Sequence, residues 1–265
     1  MEKSMIFFDI DGTILPETGE PIPESTFRAI RLAQENGHLT FINSGRTMIA
    51  MPQEIKEMGF DGYLCGCGTY IYLHDELLFS STVPHDLCME TMELARALRI
   101  PIVFEENDQI SFDGASPVVT AEVRDLCRHF QGKDIMRLPK EERDNYTFDK
   151  FVILLSETES HPEPFFEFCN RHFVVLNRGG GMYEIIQKEH SKASAIQFLS
   201  ERLDIPLERC YAIGDSTNDL SMLQYVPNGI AMGNSMKEIL PYCDYQTTHI
   251  LDNGIWNALK HYHLI

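Results

Sequence analysis

The sequence predicts an α/β protein with a doubly wound, parallel (Rossmann-like) core and an inserted α+β domain. Two observations carry this prediction. Short apolar runs alternate with helical patterns near both ends of the 265-residue chain, as in a parallel sheet covered by helices. Between these regions, helices are interspersed with adjacent strands, which is typical of an antiparallel sheet. We therefore expect residues 1–82 and 187–265 to form the core and residues 83–186 to form the insert.

The core elements follow from apolar runs, helical spacing and glycines placed where helices commonly end. The first core segment is predicted to contain strand 5–9, a helix near 24–36, strand 39–43, helix 47–58 and strand 62–65. The second is predicted to contain helix 192–203, strand 210–214, helix 219–225, strand 229–232 and a terminal helix after Asn253. Ligands of a doubly wound sheet bind at the carboxyl ends of its strands, so polar residues at those ends are the candidates for function.

The insert has a different order of elements. It is predicted to contain a helix over 87–98, strands 101–105 and 109–113, helix 117–130, strand 150–156, helix 162–171 and strands 173–177 and 182–187. Three consecutive glycines separate the last two strands without opening a helix. A hairpin loop is therefore favoured there over a phosphate-binding loop.

Two aspartates stand directly after the first predicted strand, in the stretch Asp9-Ile-Asp11-Gly12-Thr13. Carboxylates this close repel each other unless a cation lies between them. Mg²⁺ prefers oxygen ligands and is often held by one or two carboxylates together with a substrate phosphate. Asp-Gly is also a common turn signal, so this stretch alone fits a simple turn equally well. The functional hypothesis is a metal-assisted phosphate site, in which one aspartate attacks and the other transfers protons.

A second polar cluster follows the strand predicted over 39–43, where the sequence reads Ser44-Gly45-Arg46-Thr47. A hydroxyl and backbone N–H groups at the start of a helix form a ready anion site. Ser44 or Thr47 would also serve as an N-cap, and the two roles are compatible.

Two further clusters lie in the second core segment. Lys192 follows Ser191, a predicted N-cap, so its charge opposes the dipole at the start of a helix. Such a locally unfavourable residue indicates a functional position, although most lysines are solvated surface groups. Asp215 directly follows the apolar run that ends at Gly214, and Asp219 stands four residues later. Asp219 would fit a helix cap, whereas an aspartate directly after a buried strand has no obvious structural purpose.

Taken in order, these clusters resemble the four motifs of the haloacid dehalogenase superfamily of phosphohydrolases. The match comprises Asp9-Ile-Asp11-Gly12-Thr13, Ser44-Gly45-Arg46, Lys192 and Gly214-Asp215-Ser-Thr-Asn218-Asp219. The stretches 231–235 (Ala-Met-Gly-Asn-Ser) and 251–255 (Leu-Asp-Asn-Gly-Ile) are similar to the Cof-type subfamily, also called subfamily IIB. The resemblance spans nearly the whole chain, and the motifs are specific together but not singly. It implies that the insert is a cap of subclass B, which closes over the site and sets specificity.

The resemblance also implies a reaction and a role for each motif residue. Asp9 is expected to attack phosphorus and form an aspartyl-phosphate, with Asp11 as acid and base and Lys192 offsetting the charge of the nucleophile. The expected Mg²⁺ ligands are Asp9, Asp11 through its carbonyl, and Asp215. The expected phosphate ligands are Gly12, Ser44, Gly45, Arg46, Lys192 and Asn218, with Thr13 and Asp219 in support. The implied substrate is a phosphate monoester of a small metabolite, such as a sugar phosphate or a phosphorylated cofactor.

One departure from the family pattern and two other functions accompany this interpretation. Cys67 stands where the family usually has asparagine, in a loop that lies near the active-site rim in relatives.

A phosphomutase of the same superfamily would share the two-aspartate motif but would require a bisphosphate activator. A regulator that binds a phosphate ligand without catalysis would not need Asp11. Release of inorganic phosphate without an activator separates the hydrolase from both.

Composition narrows the classes of partner. The formal net charge of −18 argues against nucleic acid, because phosphate backbones bind basic patches. A phosphate ester meets the same repulsive field, so a bound cation and the motif residues must reverse the potential locally. No apolar run approaches a membrane-spanning length and no signal peptide precedes the first strand, so we expect a cytoplasmic protein without a membrane partner. The seven cysteines show no disulfide or zinc spacing, and the oligomeric state is not encoded in any pattern.

Overall fold

The computed structural model describes residues 2–131, 136–137, 146–155 and 161–265, and the chain divides into two compact units. The first unit comprises Met1–Gly45, Pro52–Phe79 and Ser191–Ile265, and the second comprises Arg46–Met51 and Ser80–His190. Among the described residues, no helix has both the length and the apolar content needed to cross a bilayer.

Strands and helices are numbered separately in chain order. The strands are β1 (Met5–Phe8), β2 (Leu39–Asn43), β3 (Gly62–Cys65), β4 (Tyr70–Leu73), β5 (Glu76–Ser80), β6 (Ile102–Glu105), β7 (Ile110–Asp113), β8 (Met136–Arg137), β9 (Lys150–Leu154), β10 (Phe173–Gly179), β11 (Met182–Gln187), β12 (Cys210–Gly214), β13 (Asn228–Ala231) and β14 (Tyr245–Gln246). The α-helices are α1 (Glu24–Glu35), α2 (Gln53–Glu57), α3 (His85–Ala97), α4 (Ala121–Gln131), α5 (Glu163–His172), α6 (Lys192–Leu203), α7 (Leu220–Tyr225) and α8 (Gly254–His261).

The first unit is built on a sheet of order β14-β13-β12-β1-β2-β3-β4-β5 within the described residues. The strands from β14 to β3 are parallel, and β4 runs antiparallel to β3. All four residues of β1 are buried, as expected of a central strand in a parallel sheet. The chain continues to β2 on one side of β1, whereas β12 lies on the other side. A crevice at the carboxyl end of β1 therefore marks the point where such sheets bind ligands.

The second unit is built on a sheet of order β10-β11-β9-β6-β7-β8 within the described residues. The pairs from β10 to β7 are antiparallel, and β8 is parallel to β7. Alternate residues of β6 and β9 enter two different apolar clusters, so that Phe104 and Phe151 lie in one and Val103 and Val152 in the other. The predicted hairpin between β10 and β11 is confirmed. The fold class expected from the sequence, a parallel α/β core with an α+β insert, is confirmed as well.

The prediction of one helix over 47–58 is wrong, because α2 has only five residues. Pro52 occupies its N-cap position, and a proline disfavours helical conformation in the residue before it. The backbone N–H of Ile49 instead donates to the carbonyl of Asn107 at 3.0 Å. This stretch consequently belongs to the second unit. Ser44 does not precede the start of a helix, so the helix-dipole part of the anion-site argument is wrong too.

Four strands lie where the sequence patterns predict none, namely β4, β5, β8 and β14. Two of them, β8 and β14, have only two residues, which is too short for any periodicity. β5 contains three consecutive apolar residues, but none of its five residues is fully buried, unlike those of a core strand. The other predicted elements agree with the observed ones to within a few residues. Residue 156, at the end of the strand predicted over 150–156, lies outside the described residues.

Candidate active site

The loop after β1 carries the first two aspartates. Asp9 is 3% exposed, and its backbone N–H donates to the carbonyl of Ile213 at 3.0 Å, which continues the pairing of β1 with β12. The chain then turns at Gly12, whose φ of +77° lies in the left-handed region that favours glycine. A Cβ at Gly12 would also collide with the carboxylate of Asp215. Glycine therefore lets the loop approach the end of β12.

Lys192 is the first residue of α6 and reaches the end of β1. Ser191 caps this helix, because its side chain accepts from the N–H of Ser194 and the Ser194 hydroxyl binds back to the N–H of Ser191. The Lys192 side chain is 1% exposed, and its Nζ lies 2.6 Å from Oδ1 of Asp9 and 2.5 Å from Oδ1 of Asp219. One buried cation is therefore shared between two carboxylates on different loops.

The loop after β12 carries the other two aspartates. Oδ2 of Asp219 accepts from the backbone N–H groups of Asp215 at 2.9 Å and Ser216 at 3.1 Å. Gly214 makes room for this arrangement, since a Cβ there would lie 2.6 Å from Cγ of Asp219. The hydroxyl of Thr13 donates to Oδ1 of Asp215 at 3.2 Å. Asp219 thus shapes the loop, and Thr13 links Asp215 to the loop after β1.

Burial and crowding of negative charge perturb the ionisation of the site. Burial, together with the charge of Asp219 and against that of Lys192, raises the pKa of Asp9 to about 7. Burial and the charges of Asp219 and Asp9 raise the pKa of Asp215 to about 8. Burial alone would lower the pKa of Lys192, but the charges of Asp219 and Asp9 outweigh it and raise this pKa above its ordinary value. The site holds more carboxylates than its one lysine neutralises.

The carboxylates are suited to a hard divalent cation. In the described part of the chain, carboxylate oxygens of Asp9, Asp215 and Asp219 lie within 4.8 Å of one another, and all three residues are buried. Both oxygens of Asp219 already bind protein groups, Lys192 on one side and backbone N–H groups on the other. The hydrogen bonds to Asp9 and Asp215 involve Oδ1, which leaves the Oδ2 atoms of both for a cation. The residues therefore fit an oxygen-coordinated ion such as Mg²⁺, with Asp219 outside its coordination shell.

The remaining predicted residues lie on three segments. Ser44 is buried after β2, and its N–H donates to the carbonyl of Leu64 at 2.9 Å. Asn218 lies in the loop after β12, and its Oδ1 accepts from the Ser216 hydroxyl at 2.5 Å. Arg46, directly after Gly45, belongs to the second unit, where its guanidinium donates to a backbone carbonyl at 3.0 Å. Roles of these residues as phosphate ligands stay predictions.

Two asparagines that support the site were not predicted. Nδ2 of Asn43 donates to the backbone carbonyl of Lys192 at 2.9 Å and so fixes the start of α6. Nδ2 of Asn234 donates to the carbonyl of Gly12 at 2.7 Å. Their partners are 149 and 222 residues away in the sequence, so no local pattern signals either contact. Asn234 does belong to the stretch that resembles the Cof-type subfamily, which is the signal that could have singled it out.

The loop after β3 explains the position of Cys67. Its φ is +58°, and the glycines on both sides also have positive φ values. Asparagine tolerates this left-handed region better than most residues with a side chain. We infer that backbone conformation, rather than only a contact at a rim, accounts for the asparagine expected at this position.

Comparisons with known proteins agree with this geometry. A family model described as haloacid dehalogenase-like hydrolase matches residues 6–259. The chain is 29% identical over 266 residues to "Putative phosphatase YkrA" of Bacillus subtilis (strain 168), covering 98% of each chain. It is 26% identical to the HMP-PP phosphatase of Yersinia enterocolitica, covering 88% of this chain and 84% of that protein.

Solved structures show the same architecture. A hypothetical protein from Geobacillus kaustophilus HTA426 superposes with a TM-score of 0.85 at 25% identity, with both chains covered completely. The HAD subclass IIB sugar phosphatase BT4131 superposes with a TM-score of 0.81 at 25% identity, covering 99% of this chain and 100% of that one. The chain belongs to the haloacid dehalogenase-like hydrolases, and within them it is a phosphatase of the Cof type, subfamily IIB.

Proposed function

We propose that this protein hydrolyses phosphate monoesters of small metabolites in a Mg²⁺-dependent reaction that passes through a phosphorylated Asp9. The observation that carries the proposal is a surplus of buried negative charge at the carboxyl end of the sheet, because three buried carboxylates lie within 4.8 Å of one another and Lys192 pairs with two of them. A surplus of this kind at a ligand-binding edge is suited to a divalent cation and a phosphate. Unmatched buried charge destabilises a fold, so a surplus of carboxylates is not expected in a cluster with a purely structural role.

The residues of the first unit divide the reaction between them. A carboxylate oxygen of Asp9 bonds to phosphorus while the bond from phosphorus to the ester oxygen breaks, and Asp11 gives its proton to that departing oxygen. Asp11 then takes a proton from a water, whose oxygen bonds to phosphorus as the bond to Asp9 breaks. Inorganic phosphate leaves and both aspartates return to their starting states. Lys192 offsets negative charge on Asp9 throughout.

The metal contributes charge rather than proton transfer. Mg²⁺ held by Asp9, the carbonyl of Asp11 and Asp215 would supply positive charge next to the phosphoryl oxygens. Ser44, Gly45, Arg46 and Asn218 are the further candidates for phosphate contacts, as the motifs predict. Thr13 and Asp219 support these groups through Asp215 and Lys192.

Three finer statements belong to the same proposal. We assign the selection of the substrate to the insert, predicted as residues 83–186, as the cap of the enzyme. The relatives named HMP-PP phosphatase and sugar phosphatase support a small phosphorylated metabolite as the substrate. We also assign the protein to the cytoplasm, because all seven of its cysteines are free thiols, which is typical of that reducing compartment.

Phosphate release from a panel of sugar phosphates, nucleotides and phosphorylated cofactors tests the proposal. The assay is run with Mg²⁺ and with EDTA, and without any bisphosphate activator. We expect release that requires the metal and that an Asp9→Asn variant loses. Transfer of phosphate between positions of one sugar, dependent on a bisphosphate, would instead identify a mutase. A folded protein that releases phosphate from no ester would overturn the proposal.

A further inference from the structure

The turn over residues 232–236 is hydrogen-bonded to the backbone at the start of the loop after β12. The N–H of Met232 donates to the carbonyl of Gly214 at 3.0 Å, and the N–H of Met236 donates to the carbonyl of Asp215 at 2.8 Å. These two bonds fasten the turn to the loop after β12. The turn is therefore a fixed support from which a side chain can reach the loop after β1.

Asn234 is the side chain that makes this reach. Its Nδ2 donates to the carbonyl of Gly12 at 2.7 Å, and its Oδ1 accepts from the N–H of Ile250 at 3.0 Å. Because one partner is an obligate acceptor and the other an obligate donor, the orientation of the amide is fixed. Aspartate at this position would keep the shape but place an anionic oxygen against the carbonyl of Gly12.

The loop that Asn234 holds also contains hydrogen bonds between its own backbone groups. The carbonyl of Ile10 accepts from the N–H groups of Thr13 and Leu15 at 3.2 and 2.9 Å, and the N–H of Gly12 donates to the carbonyl of Leu15 at 2.9 Å. Two hydrogen bonds connect this loop to other parts of the unit, that of Thr13 to Asp215 and that of Gly12 to Asn234. The second of these lies next to Asp11 in the chain.

We propose that Asn234 is a positioning residue, which holds the Asp11–Gly12 turn so that the Asp11 carboxyl faces the departing ester oxygen. The inference rests on the proposed function, since it assigns Asp11 the proton transfer described above. Asn234 itself touches no reacting atom. Its effect on the reaction passes through the carbonyl of Gly12.

The chemistry of the departing group distinguishes this role from a general effect on the fold. An alkoxide leaves poorly unless it is protonated, whereas a nitrophenolate leaves readily without a proton. A turn that misplaces Asp11 will therefore slow the transfer of phosphate to Asp9 more from alkyl phosphates than from p-nitrophenyl phosphate, whereas the later attack of water on phosphorylated Asp9 is common to both. Loss of folded protein, or general loosening of the site, would reduce both rates by the same factor.

The chain offers a matched control in Asn228. The side-chain amide of Asn228 likewise makes two hydrogen bonds to backbone groups, because its Nδ2 donates to the carbonyls of Glu208 and Cys210, both at 3.0 Å. It lies at the opposite end of the same sheet, where β12 and β13 begin. The Asn228→Ala and Asn234→Ala variants thus remove comparable hydrogen bonds at different distances from the loop after β1.

The experiment compares the wild type with Asn234→Ala, Asn234→Asp and Asn228→Ala. We expect both Asn234 variants to lower kcat/KM, which reports the steps up to departure of the ester oxygen, by about 10- to 100-fold for the best alkyl phosphate, with a loss at least several-fold smaller for p-nitrophenyl phosphate. Asn228→Ala should keep the wild-type ratio of the two rates. Equal losses for both esters, or no loss, would overturn the inference.

Amide hydrogen exchange supplies a readout that does not depend on turnover. Faster exchange of the amides of residues 12–15 is expected in Asn234→Asp but not in Asn228→Ala, and unchanged exchange there would overturn the inference. The isosteric Asn234→Asp variant serves if Asn234→Ala does not fold. A wild type that hydrolyses no ester would refute the proposed function, whereas the exchange data would still decide the role of Asn234.

Discussion

Each of the two units buries a lysine among carboxylates, but the two clusters differ in their balance of charge. We name the first the catalytic cluster, which comprises Asp9, Lys192, Asp215 and Asp219. We name the second the insert cluster, which comprises Glu105, Lys150, Arg178 and Glu184. The catalytic cluster has three acids for one base, whereas the insert cluster has two acids for two bases.

The insert cluster neutralises its own charge. Nζ of Lys150 lies 3.4 Å from Oε2 of Glu105 and also binds Glu184, while Nε of Arg178 donates to Glu184 at 2.8 Å. Burial alone would raise the pKa of Glu184, but Lys150 and Arg178 outweigh it and lower this pKa to about 2. Burial raises the pKa of Glu105 against the charge of Lys150, so the downward shift in this cluster is that of Glu184. In the catalytic cluster the pKa values of both Asp9 and Asp215 are raised, to about 7 and about 8.

Burial of charge alone therefore does not identify a functional site, because both clusters bury charged groups. Buried ion pairs whose charges match are compatible with a role confined to the fold. A cluster with unmatched acids is incomplete until a cation binds, and the structure places that surplus at the ligand-binding edge of the sheet.

The largest expected effect comes from Asp9→Asn. Turnover should fall by roughly 10⁴-fold or more, because the amide cannot act as the nucleophile. The free energy of unfolding at pH 8 without Mg²⁺ should not fall, since the change removes one acid from a surplus. Steady-state kinetics and urea unfolding measure the two quantities. Near wild-type activity would refute the assignment of Asp9.

Methionine in place of each buried lysine compares the clusters directly. Lys150→Met leaves carboxylates without their cation, so the free energy of unfolding should fall by about 3–5 kcal/mol, with or without Mg²⁺. Lys192→Met should also destabilise the metal-free protein, but Mg²⁺ should restore part of the loss. Urea unfolding with Mg²⁺ and with EDTA measures both. If Mg²⁺ restored the free energy of unfolding of both variants, or of neither, the proposed difference between the two clusters would be refuted.

Glu184→Gln tests the insert cluster through pH. Because the pKa of Glu184 is lowered from 4.5 to about 2, its ionised form stabilises the folded unit above pH 4.5 and loses that contribution as pH falls toward 2. The variant should lose on the order of 3 kcal/mol at pH 7, and the difference from wild type should shrink below pH 4. A difference that does not depend on pH would show that charge is not the cause.

The smallest expected effect concerns Cys67. Its positive φ disfavours most side chains, so Cys67→Asn should raise the free energy of unfolding by roughly 0.5 kcal/mol. Cys67→Ala, which removes the thiol but keeps the strained conformation, is the control. Thermal unfolding ranks the three proteins. Asparagine no more stable than alanine here would contradict the conformational explanation.

The sequence predicts the parts of the fold and site that local signals encode. The buried run of β1 followed by Asp9, the cap at Ser191 and the glycines at 12 and 214 are all readable in this way, as are the motif positions of Lys192 and Asp215. The prediction of one helix over 47–58 is wrong because Ile49 and Ala50 pack in the second unit, whereas α2 begins only after Pro52 in the first.

Contacts between distant segments could not be predicted. The side-chain amide of Asn43 donates to the carbonyl of Lys192, and that of Asn234 donates to the carbonyl of Gly12. The partners in each pair are far apart in the sequence and meet only in the folded protein. The balance of charge in the insert cluster has the same origin, because its members come from β6, β9, β10 and β11. Register between strands decides which of them meet.

The surplus of acids in the catalytic cluster is suited to a divalent cation, and the ionisation of these acids makes its binding depend on pH. Since the pKa values of Asp9 and Asp215 are raised to about 7 and about 8, both carboxyls hold protons at pH 6, and without a metal they lower stability as pH rises. A bound cation must displace these protons. Binding should therefore be tighter at pH 8.5 than at pH 6 and should release protons at the lower pH.

Isothermal titration of Mg²⁺ into the protein at pH 6 and pH 8.5, in buffers of different ionisation enthalpy, measures both the binding and the proton release. We expect one Mg²⁺ site that binds more tightly at the higher pH, releases protons at pH 6 and is lost in Asp215→Asn, while Glu184→Gln retains it. Absence of Mg²⁺ binding to the folded wild type at pH 8.5, or unchanged binding in Asp215→Asn, would contradict this expectation.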